Sequence, residues 1–455
     1  MVTPPRFGPC ASRTGGFGAR FRAGDRFRVT LANRLPEPTL IHWHGLRPPL
    51  AQDGVPGLSQ PLLEPGGTYD YDFALREAGT YWMHSHQGLQ LQGLLAAPLI
   101  IAEDNGADEQ EVVLMLHDFS FRAPEEILAD LGGGIMPGMA HGANAGQGAE
   151  AGADLGMSGM DHGAPAGQSA EAGPDFDMPG MVHGAEAGRD INDVEHDAYL
   201  ANDRTLADPE VVAVERGGHV RLRVINGASS TNFVFDLGAL EGDLIAVDGR
   251  PIVPVRGRRF GIAMSQRLDI RLRVGSGGAF PVLAIREGDH RATGLVLSTP
   301  GAAVERVPEM VTAAAEPLSF AEEPGLRARV GLPERPADRR LAIALTGGMT
   351  PYVWGLDGAG SEGMREYPVA AGERVEITFE NRTTMSHPMH LHGHVFQVVG
   401  GNGARFAGAL RDTVLVPYRG SVTIAFDADN PGIWLLHCHN LYHLEAGMVA
   451  ALRYA

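Results

Sequence analysis

Four histidine pairs of the form His-x-His punctuate this chain of 455 residues, two near each end. They are His42/His44 in HWHG, His84/His86 in HSH, His390/His392 in HLHG and His437/His439 in HCH. Residues i and i+2 of a strand point to one face, so each pair is a two-toothed clamp. Eight imidazoles exceed what one metal ion can use, so a shared site requires a fold that brings the two ends of the chain together. The middle residue of the last pair is Cys438, on the opposite face of its strand. Its thiolate is joined through its own backbone to two members of the cluster, an arrangement suited to passing electrons from one metal to several others.

Length and patterning frame the fold. A chain this long suggests about three domains. Residues 25–33 (DRFRVTLAN) alternate apolar and polar, as a half-buried strand does. Residues 39–45 and 80–86 read as strands carrying the first two clamps, and 94–101 as a buried strand. Gly and Pro interrupt such runs repeatedly, as in all-β sandwiches; only 123–131 suggests a short helix. The reading divides the chain into 1–105, 106–300, a Pro/Ala/Glu-rich connector at 301–337, and 338–455. GERVEITFEN at 372–381 echoes GDRFRVTLAN at 24–33, an internal repeat of domain size.

Within the second block, residues 132–190 are rich in Gly, Ala, Met and acids, a composition expected to form a flexible loop. A unit recurs there as MPGMAHG, MSGMDHG and MPGMVHG, aligning Met136, Met139 and His141 with Met157, Met160 and His162, and with Met178, Met181 and His183. Thioethers prefer Cu(I), and an adjacent histidine adds affinity. These nine residues are the candidates for Cu(I) capture; the plainer reading is a low-complexity spacer.

Charge and cysteine content exclude several classes. A formal charge of -18 without a Lys/Arg-rich block argues against a nucleic-acid partner. No stretch approaches the roughly 20 apolar residues of a membrane span. Of two cysteines, Cys10 lies in a Gly/Pro/Arg-rich start, and Cys438 is better used as a metal ligand than in a disulfide. Residues 1–20 show neither an apolar signal core nor a twin-arginine motif.

A mononuclear blue-copper site takes two histidines, a cysteine thiolate and a weak thioether. His443 and Met448 follow Cys438 closely enough to return on one loop, and His387 can supply the second imidazole. The clamps then form a second centre. Zinc also accepts imidazoles, but catalytic zinc rarely uses more than three protein ligands; eight suit three coppers.

HWHG, YWMHSH, HPMHLHGHVF and HCHNLYHLEAGM resemble the four copper signatures of multicopper oxidases, and the resemblance extends over nearly the whole chain from about Phe21. It implies three cupredoxin-like Greek-key β-sandwich domains, the first shortened at its N-terminus, with a trinuclear cluster between the first and third. By residue, it implies type 2 copper on His42 and His390. A type 3 pair would lie on His44, His84, His86, His392, His437 and His439, and type 1 copper on His387, Cys438, His443 and Met448. Four copper ions result, with further Cu(I) on the Met-rich repeats. An axial Met implies a moderate potential. Asp53 in AQDGVPG matches an acid that relays protons in such enzymes, though it reads equally as a turn residue before Gly54; Glu445 is a second such candidate, read more simply as a solvated or loop-fixing carboxylate. His394 is assigned to packing or to support of the ligands, and His117, His196, His219 and His290 to ordinary structural or surface roles.

The function expected is one-electron oxidation of substrate, with Cu(I) first among substrates, coupled to four-electron reduction of dioxygen to water in copper tolerance. A laccase-like oxidase of phenols or aromatic amines is the alternative, and a non-catalytic copper-sequestering protein the alternative of another class. A nitrite reductase does not call for four clamps. The resemblance further implies a periplasmic protein whose reading frame extends upstream of Met1; a monomer is expected.

Overall fold

The computed structural model describes residues 18–103, 106–133, 189–358 and 364–455. The Met-rich repeats, with Met136, Met139, His141, Met157, Met160, His162, Met178, Met181 and His183, lie outside the described residues, as does Cys10. Among the described residues, α-helix is confined to Pro124–Leu131 and Leu441–Glu445, and everything else of regular form is β apart from two short 3-10 turns.

The strands sort into three successive pairs of sheets. In the first, Ala19–Arg22, Ala96–Ala102, Gly79–Ser85 and Ile41–His44 form one sheet, and Arg26–Ala32 with Thr68–Ala74 form the other. Phe27 turns inward between exposed Arg26 and Arg28 and meets Trp43, Tyr71 and Phe73, the alternation that DRFRVTLAN foreshadows. The second pair sets a six-stranded sheet built around His219–Asn226 and Arg267–Arg273 against a five-stranded one around Ala279–Arg286. The third sets Arg339–Met349, Arg374–Asn381 and Ser421–Asp427 in a seven-stranded sheet against five strands that include His387–Leu391 and Ile433–Cys438. The repeated segments take equivalent places: Arg26–Ala32 and Arg374–Asn381 each pair antiparallel with a following strand.

Strand limits differ slightly from the sequence reading. The first clamp strand is Ile41–His44 and the second Gly79–Ser85, so His86 lies just past its strand. The run expected at 94–101 begins at Ala96, because Leu94 takes a positive φ of 66° in a turn that closes on the Leu91 carbonyl.

The sandwiches are not independent. Trp82, Leu89, Leu91 and Ala96 of the first pair, and Met115 and Ile225 of the second, are buried in the same apolar cluster as Trp354, Trp434, Cys438 and Met448 of the third. This packing brings the ends of the chain together. No helix among the described residues is long and apolar enough to cross a membrane.

Candidate metal centres

Two ladders place the clamps. Strand Ile41–His44 pairs antiparallel with Gly79–Ser85 in a register that sets His42 opposite His84. Strand His387–Leu391 pairs with Ile433–Cys438 so that His390 faces His437 and Met389 faces Cys438. Each ladder collects four imidazoles, and the two ladders meet face to face. His42 and His392 approach to 3.9 Å between ring centroids, and His44 stacks on His390 at 3.8 Å. Three triads result, each with its ligand atoms within 4.8 Å of one another: His42/His44/His390, His44/His84/His439 and His86/His392/His437. A fourth group is His387, Cys438 and His443.

The orientation of each ring is fixed from behind. His42 Nδ1 donates to the Asp53 carbonyl at 2.8 Å, and His390 Nδ1 to the Asp412 carbonyl at 2.7 Å. His84 Nδ1 donates to the Ser85 carbonyl and His437 Nδ1 to that of Cys438. His392 Nδ1 donates to Asp53 Oδ2 at 2.8 Å, while His44 uses Nε2 toward Asp412 Oδ1 at 3.0 Å. The opposite nitrogens of His42, His44, His84, His86 and His390, and both of His439, are buried with no partner among the described residues. A buried polar atom without a partner is costly. His392 Nε2 and His437 Nε2 stand 3.0 Å apart, two lone pairs facing each other. A bound cation resolves these contacts at once, so the residues present fit metal ions.

Electrostatics agrees. Burial, reinforced by neighbouring imidazoles, holds His44, His84, His86, His390, His392 and His439 well below the usual histidine range, and His437 at about 4. Neutral imidazole is the metal-binding form.

At the mononuclear group, Cys438 Sγ lies 3.7 Å from Nδ1 of both His387 and His443, whose Nδ1 atoms are 3.1 Å apart. Burial pushes the thiol up, so a proton must leave as a metal binds. Met448 is fully buried in the same cluster, and its carbonyl accepts from the Cys438 amide at 3.0 Å. His387 Nε2 is held by Thr383 Oγ1 at 2.7 Å, and His443 Nε2 lies 3.1 Å from Asp193 Oδ2. Asp193 also accepts from Tyr352 at 2.6 Å. Burial would raise its carboxyl, but these bonds outweigh it and hold the group below the usual range.

The remaining candidates separate. Asp53, 1% exposed, touches both His42 and His392. Glu445 lines a narrow cavity of about 20 Å³ together with His84, His86, His437 and His439, and burial raises its carboxyl to about 7. His394 is turned away, between the His392 carbonyl and the Tyr454 hydroxyl. His117 and His196 are buried, the latter against Asp118 and Ser230, and His219 and His290 are exposed.

Sequence reading missed Asp412, which grips His44 and His390 and is itself held by Arg267 Nη1 at 2.7 Å. It also missed Asp193 and Tyr352. These contacts join segments far apart in the chain, and no local pattern announces them. A partial signal was Gly45 of HWHG. Its φ is +85°, and a Cβ there would sit 2.5 Å from Arg267 Nη2 and 2.7 Å from Asp412 Oδ2.

Site and fold define a copper oxidase, and comparison with known proteins agrees. Family models for multicopper oxidases match residues 17–106, 174–303 and 334–455. The chain is 30% identical to multicopper oxidase MmcO of Mycobacterium tuberculosis, with 96% of the chain and 80% of that protein covered. It is 26% identical to copper resistance protein A of Escherichia coli, with 95% and 87% covered. The crystal structure of a multi-copper oxidase from Pseudomonas thermotolerans superposes with a TM-score of 0.67 at 25% identity, covering 97% of this chain and 93% of that one. The chain belongs to the multicopper oxidase family. It is a copper-dependent oxidoreductase that uses dioxygen as acceptor and has cupredoxin-like domains.

Proposed function

We propose that this oxidase takes its electrons from Cu(I) and serves copper tolerance, with four resident coppers. His387, Cys438, His443 and Met448 hold the type 1 ion, and His42 and His390 the type 2 ion. The type 3 pair divides between His44/His84/His439 and His86/His392/His437. When bound, these ions supply one-electron acceptance at sulfur and four-electron reduction of dioxygen to water at the imidazole cluster.

The protein's own groups do the rest. Asp53 and Asp412 fix the tautomer and aim of four ligand rings. Dioxygen reduction consumes protons in a closed site. Asp53, in contact with two ligand rings, and Glu445, on the wall of the narrow cavity, would deliver them.

One observation carries the choice of Cu(I). The segment that follows the Met-rich stretch reaches the mononuclear group, and the helix that precedes it packs into the same large apolar core. Ile127, in the helix that precedes it, packs into the cluster containing Cys438. The segment that follows it ties Asp190 to Thr384 at 2.7 Å and places Asp193 against His443. Met136, Met139, His141, Met157, Met160, His162, Met178, Met181 and His183 would capture Cu(I) between those two elements. The name of copper resistance protein A, a relative over most of this chain, favours the same role. With it go a periplasmic location, a monomer, and a division into 1–105, 106–300, the connector 301–337 and 338–455.

The test is oxygen uptake by copper-loaded protein with Cu(I) and with a phenol, in the intact chain and in one lacking 134–188. Selective loss of Cu(I) turnover is expected. Equal Cu(I) turnover in both would make the segment a spacer, and absence of any uptake would leave only sequestration.

A further inference from the structure

The imidazoles of the mononuclear group do not reach solvent. His387, Cys438, His443 and Met448 are each 0% exposed. Electrons from an external donor must therefore cross the layer that covers them. On one side that layer is Asp193, which follows the Met-rich segment in the chain, with Tyr352 bonded to it. On another it is Trp354. Its indole lies 4.1 Å from the His443 ring, centroid to centroid, at 31° between planes, and 5.3 Å from the His387 ring.

Trp354 is wholly buried, yet only the thickness of one backbone separates it from solvent. Strand Tyr352–Leu356 pairs with Arg339–Met349 so that Trp354 faces Gly347. Gly347 is exposed, has a φ of +121°, and a Cβ there would lie 3.0 Å from Trp354 Cε3. Outside this hairpin is a cavity of about 340 Å³ bordered by Thr346, Gly347, Gly348, Val353, Trp354 and Gly355. That volume accommodates a small molecule. A donor resting there is one glycine away from an indole in van der Waals contact with a ligand of the site.

We propose that the Trp354 indole is a relay through which small outer-sphere reductants at this hairpin reduce the copper on Cys438, independently of the Met-rich segment. The proposal rests on the assignment of that copper to His387, Cys438, His443 and Met448. One electron leaves the donor, a neutral ferrocene becoming a ferrocenium ion, and cupric copper becomes cuprous. No bond breaks and no proton moves. Trp354 touches the His443 and His387 rings and not the metal, so it acts through those ligands.

The experiment is anaerobic stopped-flow bleaching of the blue absorption of the copper-loaded enzyme by ferrocenemethanol. Trp354→Leu is expected to slow bleaching, because the indole that bridges the hairpin and the His443 ring is lost, while the blue spectrum and midpoint potential stay as in the parent. Trp354→Tyr should restore much of the rate. Gly348→Leu should slow bleaching as well, because a Cβ at Gly348 meets nothing within 4 Å and the side chain would occupy the cavity. Removing 134–188 should leave the rate unchanged. Undiminished bleaching in blue Trp354→Leu and Gly348→Leu proteins would overturn the relay, and if the first fails to fold the second decides. A shifted spectrum or potential in Trp354→Leu would make the indole structural, and slowing on removal of 134–188 would overturn the independence. A colourless parent would overturn the copper assignment itself, and this route with it.

Discussion

Burial keeps seven clamp histidines neutral, and that neutrality makes the metal-free protein sensitive to acid. In an unfolded chain each imidazole takes up a proton near pH 6.5. In the folded, metal-free protein burial and neighbouring rings hold His44, His84, His86, His390, His392 and His439 well below that, and His437 at about 4. The unfolded state therefore binds more protons as pH falls below about 6.5, and stability falls with it. Thermal unfolding of metal-free protein should show a midpoint dropping between about pH 7 and about pH 5, with the copper-loaded protein more resistant because metal competes with protons. Identical pH profiles would contradict this. Asp53 acts on the same rings from behind. Asp53→Asn keeps the shape but loses the charge facing His392 Nδ1, and dioxygen turnover should fall by about 10- to 100-fold. Steady-state kinetics with unchanged copper content would check it. The clamp residues were legible in the sequence because each pair lies in a strand or at its end, where period-two spacing still holds the two rings together. Asp412 and Asp193 were not, since their meaning comes from His44 and His443, hundreds of positions away in each case along the fold's closure.

At the scale of elements, tight turns after the clamps set where each strand stops. Gly393, following the third clamp, has a φ of +67°, and a Cβ there would lie 2.3 Å from Trp434 Cε3. Gly393→Ala combines an unfavourable backbone conformation with a clash against a fully buried indole, and should destabilise by about 2–4 kcal/mol. Thermal unfolding and copper content, both lowered, are the readouts; a neutral effect would show that Trp434 is not tightly packed. Alternation and turn residues disclosed Arg26–Ala32 almost to the residue. The partner of each strand was not disclosed. Arg374–Asn381 pairs in parallel with Arg339–Met349, across a long connection that local patterning does not encode.

Across the whole molecule, buried charge stitches the three sandwiches at the histidine cluster. The sequence contains no lysine, so its 37 Lys/Arg positions are all arginine. Arg267, from the middle sandwich, donates to Asp412 of the last and to the Thr80 carbonyl of the first. Arg223 reaches Asp269 and Thr80, and Arg411 bridges Asp248 and Glu323. Such forks suit guanidinium, which stays charged when buried. Arg267→Met leaves Asp412 buried without its partner and should cost about 3–5 kcal/mol, seen as a lower thermal midpoint and weaker copper retention. The central claim is that two histidine ladders from opposite ends of the chain enclose one cluster of coppers, joined to a further copper through Cys438. Anomalous X-ray scattering at the copper edge, from crystals of the loaded protein, tests it directly. The account predicts three peaks among the eight clamp imidazoles and one between His387, Cys438 and His443; an empty clamp cavity, or copper confined to other residues, would contradict it.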